Sequence, residues 1–75
     1  MIRTMRMLCS AGDKVIAEWD TDTIDPDRLT EIETEFKEKM AAGWFAVEIH
    51  DKRNELIRDF DANAEILLIP RVQGG

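Results

Sequence analysis

Only one stretch of this chain carries a sustained helical period, and the rest must be arranged around it. From Leu29 the apolar residues Ile32, Phe36 and Met40 follow at steps of three and four, one stripe over about three turns. The flanks agree with it. Asp25 can cap the free backbone N–H groups, Pro26 suits the first helical position, and Asp27 favours the positive end of the dipole. Gly43 is placed to end the helix. Glu33 with Lys37 and Glu35 with Lys39 are favourable i,i+4 pairs on the wet faces. The spacing therefore predicts a helix over Asp27–Ala42. A lone amphipathic helix has nothing to bury its stripe against except a sheet built from the remaining residues.

Those residues read as strands. In MIRTMRML, Met5 and Met7 alternate against Arg3, Thr4 and Arg6. Ser10–Asp13 is turn chemistry, and KVIAEWD alternates again with Val15, Ala17 and Trp19 on one face, which together make a hairpin. WFAVEI, Trp44 to Ile49, is rich in aromatic and β-branched residues. HDKRN is a polar turn, ELIRDF is short enough for an edge strand, and DANA is another turn. EILLIPRV is apolar on both faces from Ile66 to Ile69, as in a central strand covered on both sides. Pro70 cannot donate to a ladder, so pairing should weaken there. The predicted order is strand, strand, helix, strand, short strand, strand. The helix stripe is expected to pack on Val47, Leu68 and either Val15 or the neighbours of Val72.

Composition narrows the functional classes. The chain has 75 residues, 44% of them apolar and 35% charged, which are globular values for a single small domain. Cys9 is the only cysteine, so no disulfide framework exists within the chain, which suits a reducing cytosol. No apolar run reaches the roughly 20 residues of a membrane span, and the N-terminus is too broken by charge for a signal peptide. A net charge of −6 argues against nucleic acid, whose phosphates need a basic face, and suits either solubility or a basic groove on a protein partner. A cytoplasmic monomer is expected.

The most specific stretch is the last. An apolar strand is followed by PRVQGG, and two glycines at those positions arise by chance in roughly 0.5% of chains. The element order, the length and this tail resemble the β-grasp family: ubiquitin, its relatives and the sulfur carriers related to them. The resemblance implies an α+β fold, a ubiquitin-like β-grasp with a mixed four- to five-stranded sheet and one long helix across one face. It also implies a central parallel pairing of Ile2–Leu8 with Ile66–Ile69. The domain is expected over residues 1–70 and a flexible tail over 71–75. Ubiquitin ends in Leu-Arg-Leu-Arg-Gly-Gly, which places Arg71, Val72 and Gln73 on its first arginine, second leucine and second arginine. The molybdopterin synthase small subunit ends in Pro-Pro-Val-Ala-Gly-Gly, to which Pro70 and Val72 correspond while Arg71 departs. The long helix is ordinary for neither branch, and a prokaryotic ubiquitin-like protein is the preferred expectation.

The resemblance further implies a protein that is a substrate rather than an enzyme. Its Gly75 carboxylate would be adenylated by an activating enzyme that uses ATP, then passed on as a thioester or a thiocarboxylate. Gly74 and Gly75 would enter the narrow channel that surrounds the reacting carboxylate, because glycine has no side chain to collide and adopts any dihedral the channel demands. Arg71, Val72 and Gln73 would be read by the activating enzyme. A conjugating enzyme, a deconjugating peptidase and target proteins complete the expected partners, with Lys14, Lys37, Lys39 and Lys52 as possible acceptors of another copy. The chain needs no cofactor of its own.

Other residues carry weaker chemistry. Cys9 sits at a strand end with the one histidine far off in sequence, and reads as structural or incidental rather than nucleophilic. His50 lies in a polar turn with no second His or Cys near it, which argues against a metal site. Asp20, Asp22, Asp25 and Asp27 read as loop and cap residues, and DTDTID lacks the glycine and distal Glu of a calcium loop. Trp19 and Trp44 are expected in the core. With a helix on one face only, an apolar patch on the other face would be an interaction site.

Overall fold

The computed structural model describes residues 1–50 and 53–70. The expectations about the tail, 71–75, and about Lys52 lie outside the described residues. In chain order the elements are β1 (Ile2–Cys9), β2 (Gly12–Asp20), α1 (Pro26–Ala41), β3 (Phe45–Ile49), β4 (Asn54–Ile57) and β5 (Ile66–Ile69).

The helix begins and ends where its local signals direct. The Asp25 carboxylate accepts from the Asp27 N–H at 2.8 Å, with Pro26 following the cap. At the other end Gly43 takes φ +100°, its N–H donates to the Met40 carbonyl, and the Trp44 N–H reaches back to the Lys39 carbonyl, each at 3.1 Å. This pair of bonds is a Schellman motif, which satisfies carbonyls the helix would otherwise leave unpaired.

The strands form one mixed sheet in the order β2-β1-β5-β3-β4. The first and last strands pair in parallel at its centre, with Met5 opposite Ile66 and Met7 opposite Leu68, while every other pairing is antiparallel. Among the described residues the architecture is α+β, with five strands and a single helix across one face, and it is a β-grasp.

Ile32 and Phe36 of α1 are buried against Met5, Ala17, Ala46, Ile66 and Leu68, and Met40 packs at the margin. Two expected contacts are corrected. The β1–β2 register shifts between Met5 and Arg6, so Met5 faces Ala17 but Arg6 faces Val15, and Ile16 is the extra residue of a bulge. The bulge moves Val15 to the helix-free face, where it is exposed, while Ala17 and Trp19 stay in the core. In β3 the phase is the reverse of that expected. Ala46 lies under the helix, whereas Val47 stands opposite Leu56 and Leu67 on the other face. Phe60 fills the space near the helix instead. It turns in from the loop after β4, edge-on to Phe36 with centroids 5.7 Å apart and tilted against Trp19 at 5.8 Å. The Trp19 indole N–H donates to the Ala62 carbonyl at 2.8 Å, which anchors that loop. Trp44 is half-buried at the edge of the core.

Candidate functional site

The tail residues proposed from sequence, Arg71, Val72, Gln73, Gly74 and Gly75, lie outside the described residues. What leads to them is described. β5 occupies the centre of the sheet, paired on both sides, and runs out through Ile69 to Pro70. Its start is fixed by the Glu65 carboxylate, which accepts from both the Thr4 N–H, at 2.7 Å, and the Thr4 hydroxyl. The last strand is therefore held along both of its edges.

The helix-free face is apolar around that strand. Phe45, Val47 and Leu56 lie on it beside Leu67 and Ile69. Leu56 is 75% exposed and Phe45 49%. A cavity of about 560 Å³ at the neighbouring sheet edge, reaching the helix side, is lined by Met40, Trp44, Phe45, Leu56, Ile57 and Arg58. The apolar patch expected on the uncovered face is therefore present.

The remaining candidates separate. Cys9 is free, half-buried and 3.8 Å from the Met7 carbonyl, with no base beside it among the described residues. Lys14 is exposed, Lys37 pairs with Glu33 at 3.5 Å, and Lys39 is half-buried near the helix end. Asp25 is the helix cap. Asp20 and Asp22 both hold the Met1 ammonium at 3.0 Å. The hydrogen bonds that the ammonium donates to the Asp22 and Asp20 carboxylates raise its pKa above its ordinary value. The Asp22 backbone N–H, followed by the ammonium itself, lowers that of Asp20. These groups tie the start of β1 to the end of β2 and are structural.

One cluster was not legible from neighbours in sequence. Glu48 of β3 and Glu55 of β4 stand directly opposite each other, and His50 lies at the end of the same hairpin. The donor atoms of all three lie within 4.8 Å of one another. The His50 Nε2 is 3.4 Å from Glu48, and Arg53 contacts Glu55 at 3.0 Å. A search for paired His and Cys residues misses this set because two of its members are carboxylates brought together by strand register.

Sheet order, central parallel pair and single crossing helix define the class as a β-grasp domain. No protein-family profile matches the chain, and no curated protein or solved structure matches it at a significant level. No helix among the described residues is long and apolar enough to cross a membrane.

Proposed function

We propose that this chain is a ubiquitin-like modifier that acts through the carboxylate of Gly75. One observation carries the reading: the strand that precedes PRVQGG is the central, doubly paired strand of a β-grasp sheet. A tail leaving such a strand has a rigid origin, which suits delivery of a reactive end to a partner's channel. In this reading an activating enzyme adenylates Gly75 with ATP and transfers the acyl group to a thiol. A conjugating enzyme then passes it to amines of target proteins, and a peptidase reverses the bond. Gly74 and Gly75 supply the slender end, while Arg71, Val72 and Gln73 supply recognition. The apolar patch around Phe45 and Leu56 offers these partners a second handle.

The test is to express the chain with an N-terminal affinity tag in its source cells and purify it under denaturing conditions. Expected are higher-mass adducts and, after tryptic cleavage following Arg71, a Val-Gln-Gly-Gly remnant on target lysines. A +16 Da species on the unconjugated chain marks a thiocarboxylate, the outcome for a sulfur carrier. Deleting Gly74 and Gly75 should abolish either product. Adducts that persist in the deleted chain would overturn both versions and leave a plain interaction module.

A further inference from the structure

We propose that Glu48, His50 and Glu55 form a binding site for a divalent transition-metal ion of the Zn²⁺ type at the β3–β4 hairpin. Three observations converge on it. The first is the donor set. Two carboxylates and one imidazole offer the oxygen and nitrogen ligands that Zn²⁺ takes, and all three donors lie within 4.8 Å of one another.

The second is a distance. Tetrahedral zinc with bonds of about 2.0–2.2 Å to N and O places neighbouring ligand atoms about 3.3–3.5 Å apart. Glu48 and His50 stand 3.4 Å apart. A direct charge-assisted N–H···O contact would close to about 2.7–2.9 Å. That spacing is compatible with two ligands of one ion.

The third is the register. Glu48 opposite Glu55 places like charges face to face across an antiparallel pair, an arrangement that destabilises a sheet unless a cation lies between them. Arg53 neutralises only the outer member, Glu55, and a metal would serve both. The backbone at the site is held as well. The His50 N–H donates to the Arg53 carbonyl at 3.0 Å, and the Ile49 N–H donates to the Glu65 carbonyl at 2.9 Å. Glu48 and His50 also line a polar cavity of about 350 Å³ that includes Arg3 and Asn63. That opening leaves a fourth coordination position accessible to water or to a ligand from a partner. Arg3 and Arg53 are cations close by and oppose the ion, so removing Arg53 should strengthen binding.

The test is calorimetric titration of the full chain with ZnCl₂. Expected is one ion per chain, with affinity lowered about tenfold or more in both His50→Ala and Glu55→Gln, since even partners that merely orient ligands carry 10–100-fold. Affinity should rise in Arg53→Ala and stay unchanged in Cys9→Ser. The metal-free circular dichroism spectrum should be the same for all variants, because His50 and Glu55 are exposed. Absence of saturable binding would overturn the proposal. So would wild-type affinity in either His50→Ala or Glu55→Gln, which would place the ion elsewhere, such as on Cys9 or on the Met1 amine with its two aspartates.

Discussion

Truncating Phe36 to alanine tests the core most directly. Phe36 is 1% exposed, lies beside Ile32 on the buried face of α1, and makes an edge-type contact with Phe60 at a centroid distance of 5.7 Å. Deleting a buried phenyl ring costs about 3–5 kcal/mol, made of lost transfer energy and the cavity left behind. Both walls of that cavity, β5 and α1, are held by their own backbone bonding, so collapse is limited and the upper half of the range is expected. A 75-residue domain has about 4–11 kcal/mol in total. The variant should therefore lie close to its unfolding threshold. With a urea slope of about 1 kcal/mol/M, a loss of 4 kcal/mol moves the midpoint by about 4 M. Equilibrium urea unfolding followed by tryptophan fluorescence reads this directly, because Trp19 abuts Phe60. Phe60→Leu is the companion. It keeps most of the volume but loses two aromatic contacts, each worth about 0.5–1.5 kcal/mol, so about 1–3 kcal/mol should go. A loss below about 1 kcal/mol for Phe36→Ala, with an unchanged slope, would refute the assignment of the helix face.

Further outcomes follow from single positions. Val15→Ala should change stability by less than about 0.5 kcal/mol in thermal melts, because the bulge leaves Val15 half exposed, whereas Ala17→Leu should cost about 1–3 kcal/mol by overpacking. Gly43→Ala at φ +100° should lose about 1 kcal/mol or more by the same assay. The Met1–Asp20 pair gives a pH signature. Asp20 has a lowered pKa, so its contribution is present above its ordinary value of 3.8 and fades as pH falls through the lowered one. The Met1 ammonium is raised from 8.0, so its contribution is complete below that value and is lost as pH rises through the raised one. Asp20→Asn should therefore differ from the parent in melting temperature near neutral pH and converge with it in strong acid, while a difference that persists in acid would contradict the assignment.

Much of the architecture was legible because its signals are local. Asp25, Pro26 and Gly43 mark the helix ends by chemistry that acts within one turn, and the unbroken apolar run from Ile66 to Ile69 marks the central strand, although only its Ile66 and Leu68 side lies under the helix and the expected cover on the second face is missing among the described residues. The misplaced contacts share a different cause. FAV offers apolar side chains to both faces, so the phase of β3 follows from its partners and not from its own pattern. The bulge at Ile16 is likewise a property of two paired strands. Phe60 read as the end of an edge strand, yet the chain turns after Ile57 and the ring enters the core. The Glu48–His50–Glu55 cluster needs the hairpin register. The proposal about Gly74 and Gly75 rests on the order PRVQGG in the sequence and lies outside the described residues.

The central pairing of β1 with β5 joins residues about sixty positions apart, and this determines when the molecule can form. Closing a loop of that length costs about 3–4 kcal/mol of chain entropy before any contact across it is made. The β1–β2 hairpin and α1 need only local closure, so they can form while the chain is still being synthesised. The sheet cannot join its two halves until Ile66–Ile69 has left the ribosome. Until then Met5, Ile32 and Phe36 face water together, and the nascent domain depends on whatever shields them. Folding is thereby tied to the arrival of Ile66–Ile69, so a chain cut short of β5 would fail to fold rather than persist as a smaller stable domain.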